Sequence, residues 1–116
     1  MTTLITGGTK GIGLAIAERL AHPGERLVLA YLADEAAAAD AKGRCEAKGA
    51  HVVTLRSDVA TIAGCETLMR EIDKLGGGLR HIVHGAAMVY PAPMLVADLE
   101  KFTRAMQANG LSDFYL

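Results

Sequence analysis

The sequence predicts an α/β domain, a doubly wound parallel sheet with its strands in the order 3-2-1-4. Three observations predict it. Short apolar and β-branched runs alternate with longer helix-forming runs through all 116 residues, the pattern of strands and helices taken in turn. The strand runs are continuous rather than alternating, as in Leu27-Val28-Leu29-Ala30-Tyr31, which suits strands covered on both faces. Glycine and proline fall between the runs, where turns are needed. Right-handed crossovers then leave few topologies, and 3-2-1-4 is the natural one.

The elements follow in order. Thr2 to Thr6 is a short buried strand that ends at Gly7-Gly8. Gly11 to Ala21 is helical and stops at Pro23-Gly24, which cannot continue it. Leu27 to Tyr31 is the second strand. Asp34 to Lys48, rich in Ala, Lys, Arg and Glu, is the second helix, with Gly49 where a helix C-terminal glycine belongs. His51 to Arg56 is the third strand. Thr61 caps a helix that runs to about Leu75 and ends in Gly76-Gly77-Gly78. Leu79 to His84 is the fourth strand, Pro91 and Pro93 mark a loop, and Asp98 starts a last helix that carries through Asn109.

Composition narrows the class. Apolar residues are 51% and charged residues 22%, which excludes a disordered chain. Aromatics are 4%, with no Trp, so the core must be aliphatic. Twelve basic against 13 acidic residues, a net charge of −1, give no surplus for nucleic acid or an anionic membrane. Cys45 and Cys65 form no CxxC, and His22, His51, His81 and His84 are scattered, so neither a disulfide framework nor a metal site is expected. No apolar run approaches the ~20 residues that span a bilayer, and the N-terminus lacks the pattern of a signal peptide. A cytoplasmic location is expected.

The strongest motif is Thr6-Gly7-Gly8-Thr9-Lys10-Gly11-Ile12-Gly13, at the first strand-to-helix junction. Here the chain must turn sharply, let a pyrophosphate approach its backbone, and pack helix on strand. Glycine serves all three needs because it has no Cβ. The helix N-terminus offers unpaired N–H groups and the positive end of its dipole to phosphates. The reading is a dinucleotide-binding, Rossmann-type domain over 1–116.

Gly7, Gly11 and Gly13 occupy a Thr-Gly-x-x-x-Gly-x-Gly spacing that closely resembles the short-chain dehydrogenase/reductase family. The likeness continues through Asp58-Val59 after strand three, Val83-His84-Gly85-Ala86-Ala87 after strand four, and Asn109 on the last helix. It implies that Asp58 and Val59 meet the adenine, and that His84, Gly85 and Ala86 lie along the cofactor. Asn109 stands in the place of the family's catalytic helix asparagine, which supports a proton relay to the catalytic lysine through a bound water. Tyr31 and Ala33, at the end of strand two, flank the adenosine ribose. Two departures stand out. His84 and Gly85 replace the family's two asparagines, which changes the polar bracing of strand four. Ala87, with Met88-Val89-Tyr90-Pro91 after it, gives a weak likeness to the family's enoyl-thioester reductases.

The resemblance implies an NAD(P)(H)-dependent oxidoreductase that moves hydride to or from a carbonyl or an activated double bond, on a free or thioester-bound small molecule. NADP(H) is preferred over NAD(H). No acid precedes Asp34 at the end of strand two, and Lys10 stands where NADP-preferring members carry a basic residue. Lys10 is expected to outweigh Asp34 and Glu35, taken as more distant and screened. The family's Tyr-x-x-x-Lys pair does not occur: the residues four after Tyr31 and Tyr90 are Glu35 and Met94. Ser112 is expected to face solvent or its own helix. The chain therefore reads as the first half of the family's domain, with its catalytic tyrosine, lysine and serine beyond Leu116; these residues alone are expected to be inactive, and the whole enzyme is expected to be a homo-oligomer. The alternative is a non-catalytic dinucleotide-binding or interaction module. Either way, strand four is an open edge and the last helix exposes apolar surface.

Overall fold

The computed structural model describes residues 1–88 and 90–116. Val89, part of the apolar run that carries the enoyl-reductase likeness, lies outside them. The elements are β1 (Thr2–Thr6), α1 (Gly11–Leu20), β2 (Arg26–Tyr31), α2 (Glu35–Glu46), β3 (His51–Arg56), α3 (Ile62–Leu75) and β4 (Leu79–His84), then a 3₁₀ turn (Met94–Val96) and α4 (Leu99–Met106). All the strand pairs are parallel, and the order is β3-β2-β1-β4. That is the doubly wound topology the alternation of runs predicts.

Two apolar layers sandwich the sheet, and the strand pleat sorts residues between them. Ile5, Leu27 and Leu29 face one side, where they meet Ala17 of α1 and Ala41 and Cys45 of α2. Leu4, Val28 and Ala30 face the other, against Cys65, Leu68 and Ile72 of α3. The helices present matching stripes. Cys65, Leu68 and Ile72 lie at i, i+3, i+7, as do Ala38, Ala41 and Cys45. Small residues on α1 and α2 let both helices sit close to the strands. Fully burying one leucine side chain, as at Leu4, Leu27, Leu29 and Leu68, contributes about 1.5–3 kcal/mol.

The last helix differs from the continuous one expected from Asp98 through Asn109. Asp98 does cap α4, accepting from the N–H groups of Glu100 and Lys101. After Met106 the chain widens into a π-helical turn (Gln107–Leu111) and then a short α5 (Ser112–Tyr115). Two residues explain the widening. Gly110 weakens the helix there. The Ser112 hydroxyl takes the Ala108 carbonyl at 2.7 Å, and the Ser112 N–H bonds Gln107 instead. Ser112 is fully buried. It bonds its own helix as expected but does not face solvent, because His84 reaches it (below).

Candidate functional site

The loops that leave the C-terminal ends of the four strands bound a cleft of about 680 Å³, closed on one side by Arg104 and Ala108. In an open parallel sheet this end is where ligands bind, at the point where strand order reverses. Here that point lies between β1 and β4.

The glycine loop forms one wall. Gly7 has φ +62°, a left-handed conformation that glycine tolerates best. A Cβ on Gly7 would also stand 2.7 Å from the Gly85 carbonyl carbon. At Gly13 a Cβ would overlap the Gly7 carbonyl, so this glycine lets α1 close on the loop. Gly7, Thr9, Lys10 and Gly11 line the cleft. Gly8 is buried beneath the loop, with a Cβ position 2.9 Å from the Ile5 carbonyl oxygen. Ile12 points out to solvent.

The mouth of α1 differs from those of the other long helices. Asp34, Thr61 and Asp98 cap α2, α3 and α4 through side-chain oxygens, whereas Lys10, at the head of α1, makes no side-chain cap. The orphan N–H groups of the first turn thus remain for a ligand.

The flanks carry two ion pairs. Lys10 Nζ lies 2.7 Å from Asp34 Oδ2. This hydrogen bond, then that from the Ala37 N–H, holds the Asp34 carboxyl below its ordinary range. The contact corrects the sequence reading that the acids near Lys10 are distant and screened: capping α2 aims Asp34 directly at the lysine. On the other flank Arg104 donates to Asp58 Oδ2 at 3.1 Å, and Asp58 Oδ1 accepts from the Ala60 N–H at 3.0 Å. Both cations on the wall are therefore matched by carboxylates on the same wall.

Tyr31, Ala33, Asp58, Val59, Gly85 and Ala86 also line the cleft. His84 does not: it sits behind the wall, within 3.0 Å of the Thr6 hydroxyl. Asn109 lies beside the cleft, where its carboxamide accepts from the Met88 N–H and donates to the Met88 carbonyl, both at 2.7 Å.

Sequence reasoning missed three contributors. Arg104 reaches Asp58 across 46 positions, a pairing that no spacing rule encodes. Thr6 stood inside the glycine motif, but its carbonyl proves to take the Gly85 N–H and its hydroxyl the Ala86 N–H. Gly64 of α3 packs so closely that a Cβ there would overlap the Asp58 carbonyl. Its signal was a lone glycine one turn into a capped helix.

Known proteins resemble this chain in sequence and fold. A family model described as short chain dehydrogenase matches residues 1–116. A tropinone reductase homolog of Arabidopsis thaliana is 34% identical over 100% of this chain and 43% of its own length. An uncharacterized oxidoreductase of Thermotoga maritima is 29% identical over 91% of this chain and 41% of its own. Among solved structures, the Pseudomonas aeruginosa RhlG/NADP active-site complex superposes with a TM-score of 0.87 at 29% identity, covering 98% of this chain and 44% of that one. The chain spans less than half the length of these relatives.

Proposed function

Because the chain belongs to the short-chain dehydrogenase family, we propose that the protein is a nicotinamide-dinucleotide-dependent oxidoreductase and that residues 1–116 are dinucleotide-binding Rossmann domain. One observation carries this reading: the uncapped N-terminus of α1 opens, behind close-packed glycines, into the cleft at the strand ends. A diphosphate fits that chemistry, since first-turn N–H groups can donate to it and no Cβ at Gly7, Gly11 or Gly13 obstructs. The loop from Gly7 to Gly13 would hold the phosphates. Tyr31 and Ala33 would border the ribose, Asp58 and Val59 the adenine, and Gly85 and Ala86 the inner wall. When bound, such a dinucleotide supplies or accepts the hydride. The family's tyrosine, lysine and serine would come from outside this chain, and the substrate would be a small carbonyl or enoyl compound, free or thioester-bound. No helix among the described residues is long and apolar enough to cross a membrane, and we assign the protein to the cytoplasm.

NADP(H) is the preferred cofactor in this reading. Lys10 on the cleft wall supports it, as does the NADP bound in the Pseudomonas aeruginosa relative. A 2′-phosphate must compete with Asp34 for Lys10. Asp34→Asn keeps a good helix cap and removes the competing charge. It should tighten NADP binding by up to about fivefold, as expected for one exposed ion pair, and leave NAD binding nearly unchanged. Calorimetric titration with both dinucleotides is the test. Tighter binding of NAD than NADP by the unmodified protein would reverse the preference, and binding of neither would sink the cofactor assignment. Binding without turnover in the whole protein would favour the non-catalytic module.

Met94, Leu95, Leu99, Phe102 and Met106 are half exposed or more, and β4 has one unpaired edge. Apolar surface on this scale supports burial against the rest of the protein or a second copy. We expect a homo-oligomer. A monodisperse monomer of the whole protein by light scattering would contradict it.

A further inference from the structure

Behind the cleft, a line of side-chain hydrogen bonds runs from the Gly85 and Ala86 backbone to the C-terminal helix. Counting donors fixes its directions. The Thr6 hydroxyl, fully buried, accepts from the Ala86 N–H at 3.2 Å and shares, also at 3.2 Å, the Gly85 N–H, whose shorter bond of 2.9 Å goes to the Thr6 carbonyl. Nδ1 of His84, 3.0 Å away, is the acceptor that the described residues offer to its one proton. At the far end Ser112 spends its proton on the Ala108 carbonyl at 2.7 Å, so it can only accept from His84 Nε2, at 3.0 Å. His84 is therefore the neutral tautomer with hydrogen on Nε2 and a lone pair on Nδ1.

A protonated ring would carry hydrogen on both nitrogens. The new Nδ1–H would then face the Thr6 hydroxyl hydrogen, and that proton would lose its acceptor. Asp113, on α5, offers the alternative partner, its Oδ1 3.6 Å from Nδ1. On the other side β1 brings no titratable residue. Protonation thus exchanges Thr6 for Asp113 and disturbs the hydroxyl that holds the Ala86 N–H, while Gly85 keeps its bond to the Thr6 carbonyl.

We propose that His84 is a positioning residue whose neutral form, clamped between Thr6 and Ser112, fixes the Ala86 N–H at the cleft, so that acid loosens the chain there and weakens dinucleotide binding. The binding half rests on the cofactor reading above; the positioning half does not. The sign is set by linkage. Dinucleotide selects the neutral ring, so affinity falls as pH falls.

The test follows two readouts in the whole protein between about pH 8 and about pH 5, the range in which imidazoles exchange protons. One is amide hydrogen exchange at Ala86, corrected for its intrinsic pH dependence, with Gly85, bonded to the Thr6 carbonyl, as the reference amide. The other is affinity for NADP and for NAD. Protection at Ala86 should fall about tenfold on acidification, the size of one net hydrogen bond, with affinity falling alongside. In His84→Asn, whose Oδ1 can accept from Thr6 but takes no proton, both should be flat. In Ser112→Ala, which frees Nε2, protection should already be lower at the alkaline end. Protection that does not change with pH in the unmodified protein overturns the proposal whether or not the variants fold. So does an undiminished acid transition in folded His84→Asn. If protection titrates while neither dinucleotide binds at any pH, the positioning role stands and the cofactor reading fails.

Discussion

Replacing Gly13 by alanine is expected to lower dinucleotide affinity on the order of a hundredfold, about 2.8 kcal/mol, and to destabilise the fold. The added Cβ would overlap the Gly7 carbonyl oxygen. Both atoms are fixed to the backbone, so no rotamer change relieves the contact. Either α1 moves away from β1 or the loop shifts toward Gly85, and each displaces the N–H groups that open into the cleft. Overpacking of this kind costs about 1–3 kcal/mol, more where nothing can yield. Gly43 provides the contrast. It lies within α2, and a Cβ there would meet nothing within 4 Å. Gly43→Ala should therefore stabilise the protein by about 0.5–1 kcal/mol without touching affinity. Denaturant unfolding and dinucleotide titration of both variants decide the matter. A Gly13→Ala protein with unchanged affinity and stability would show that the close approach is not needed.

The contrast between these glycines also shows what a sequence carries. Thr2–Thr6 and Leu27–Tyr31 announce buried parallel strands because both faces demand apolar side chains, and that demand is written locally. The caps Asp34, Thr61 and Asp98 are local too, each bonding N–H groups two or three residues ahead. The glycine loop is legible because its needs fall within eight consecutive residues. The partners of those residues are another matter. Asp34 capped its helix as its position suggests, but only the twist that brings the ends of β1 and β2 together sets its carboxylate on Lys10. Arg104 meets Asp58, and Ser112 meets His84, because α4 and its widened continuation fold back over the sheet. Such contacts depend on how elements dock, and neither periodicity nor spacing records docking. The exchange of the family's asparagine for His84 was visible as a departure. What it bonds was not, because Ser112 lies 28 positions away on a helix whose π turn no propensity announces.

Asn109→Ala in the whole protein should reduce turnover on the order of a hundredfold, the cost of a misplacement near 1 Å at a reacting centre, and change dinucleotide affinity far less. The family resemblance implies a role for this residue in a proton relay, and the geometry supplies a physical route. Both ends of the Asn109 carboxamide are committed to Met88, accepting from its N–H and donating to its carbonyl at 2.7 Å each. That pair of hydrogen bonds fixes the main chain of Met88 on the cleft wall, and alanine removes both contacts. The loop and α1, which would hold the phosphates, lie elsewhere and keep their contacts, so binding should largely survive. Asn109→Asp separates the two halves of the clamp. Its carboxylate still accepts from the Met88 N–H but repels the carbonyl, so it should rescue little turnover if the donated bond matters and most of it if the accepted one does. Steady-state kinetics alongside dinucleotide titration provide the reading. Unchanged turnover in Asn109→Ala would remove the relay role, and affinity falling in step with turnover would reduce Asn109 to a structural brace of the cleft.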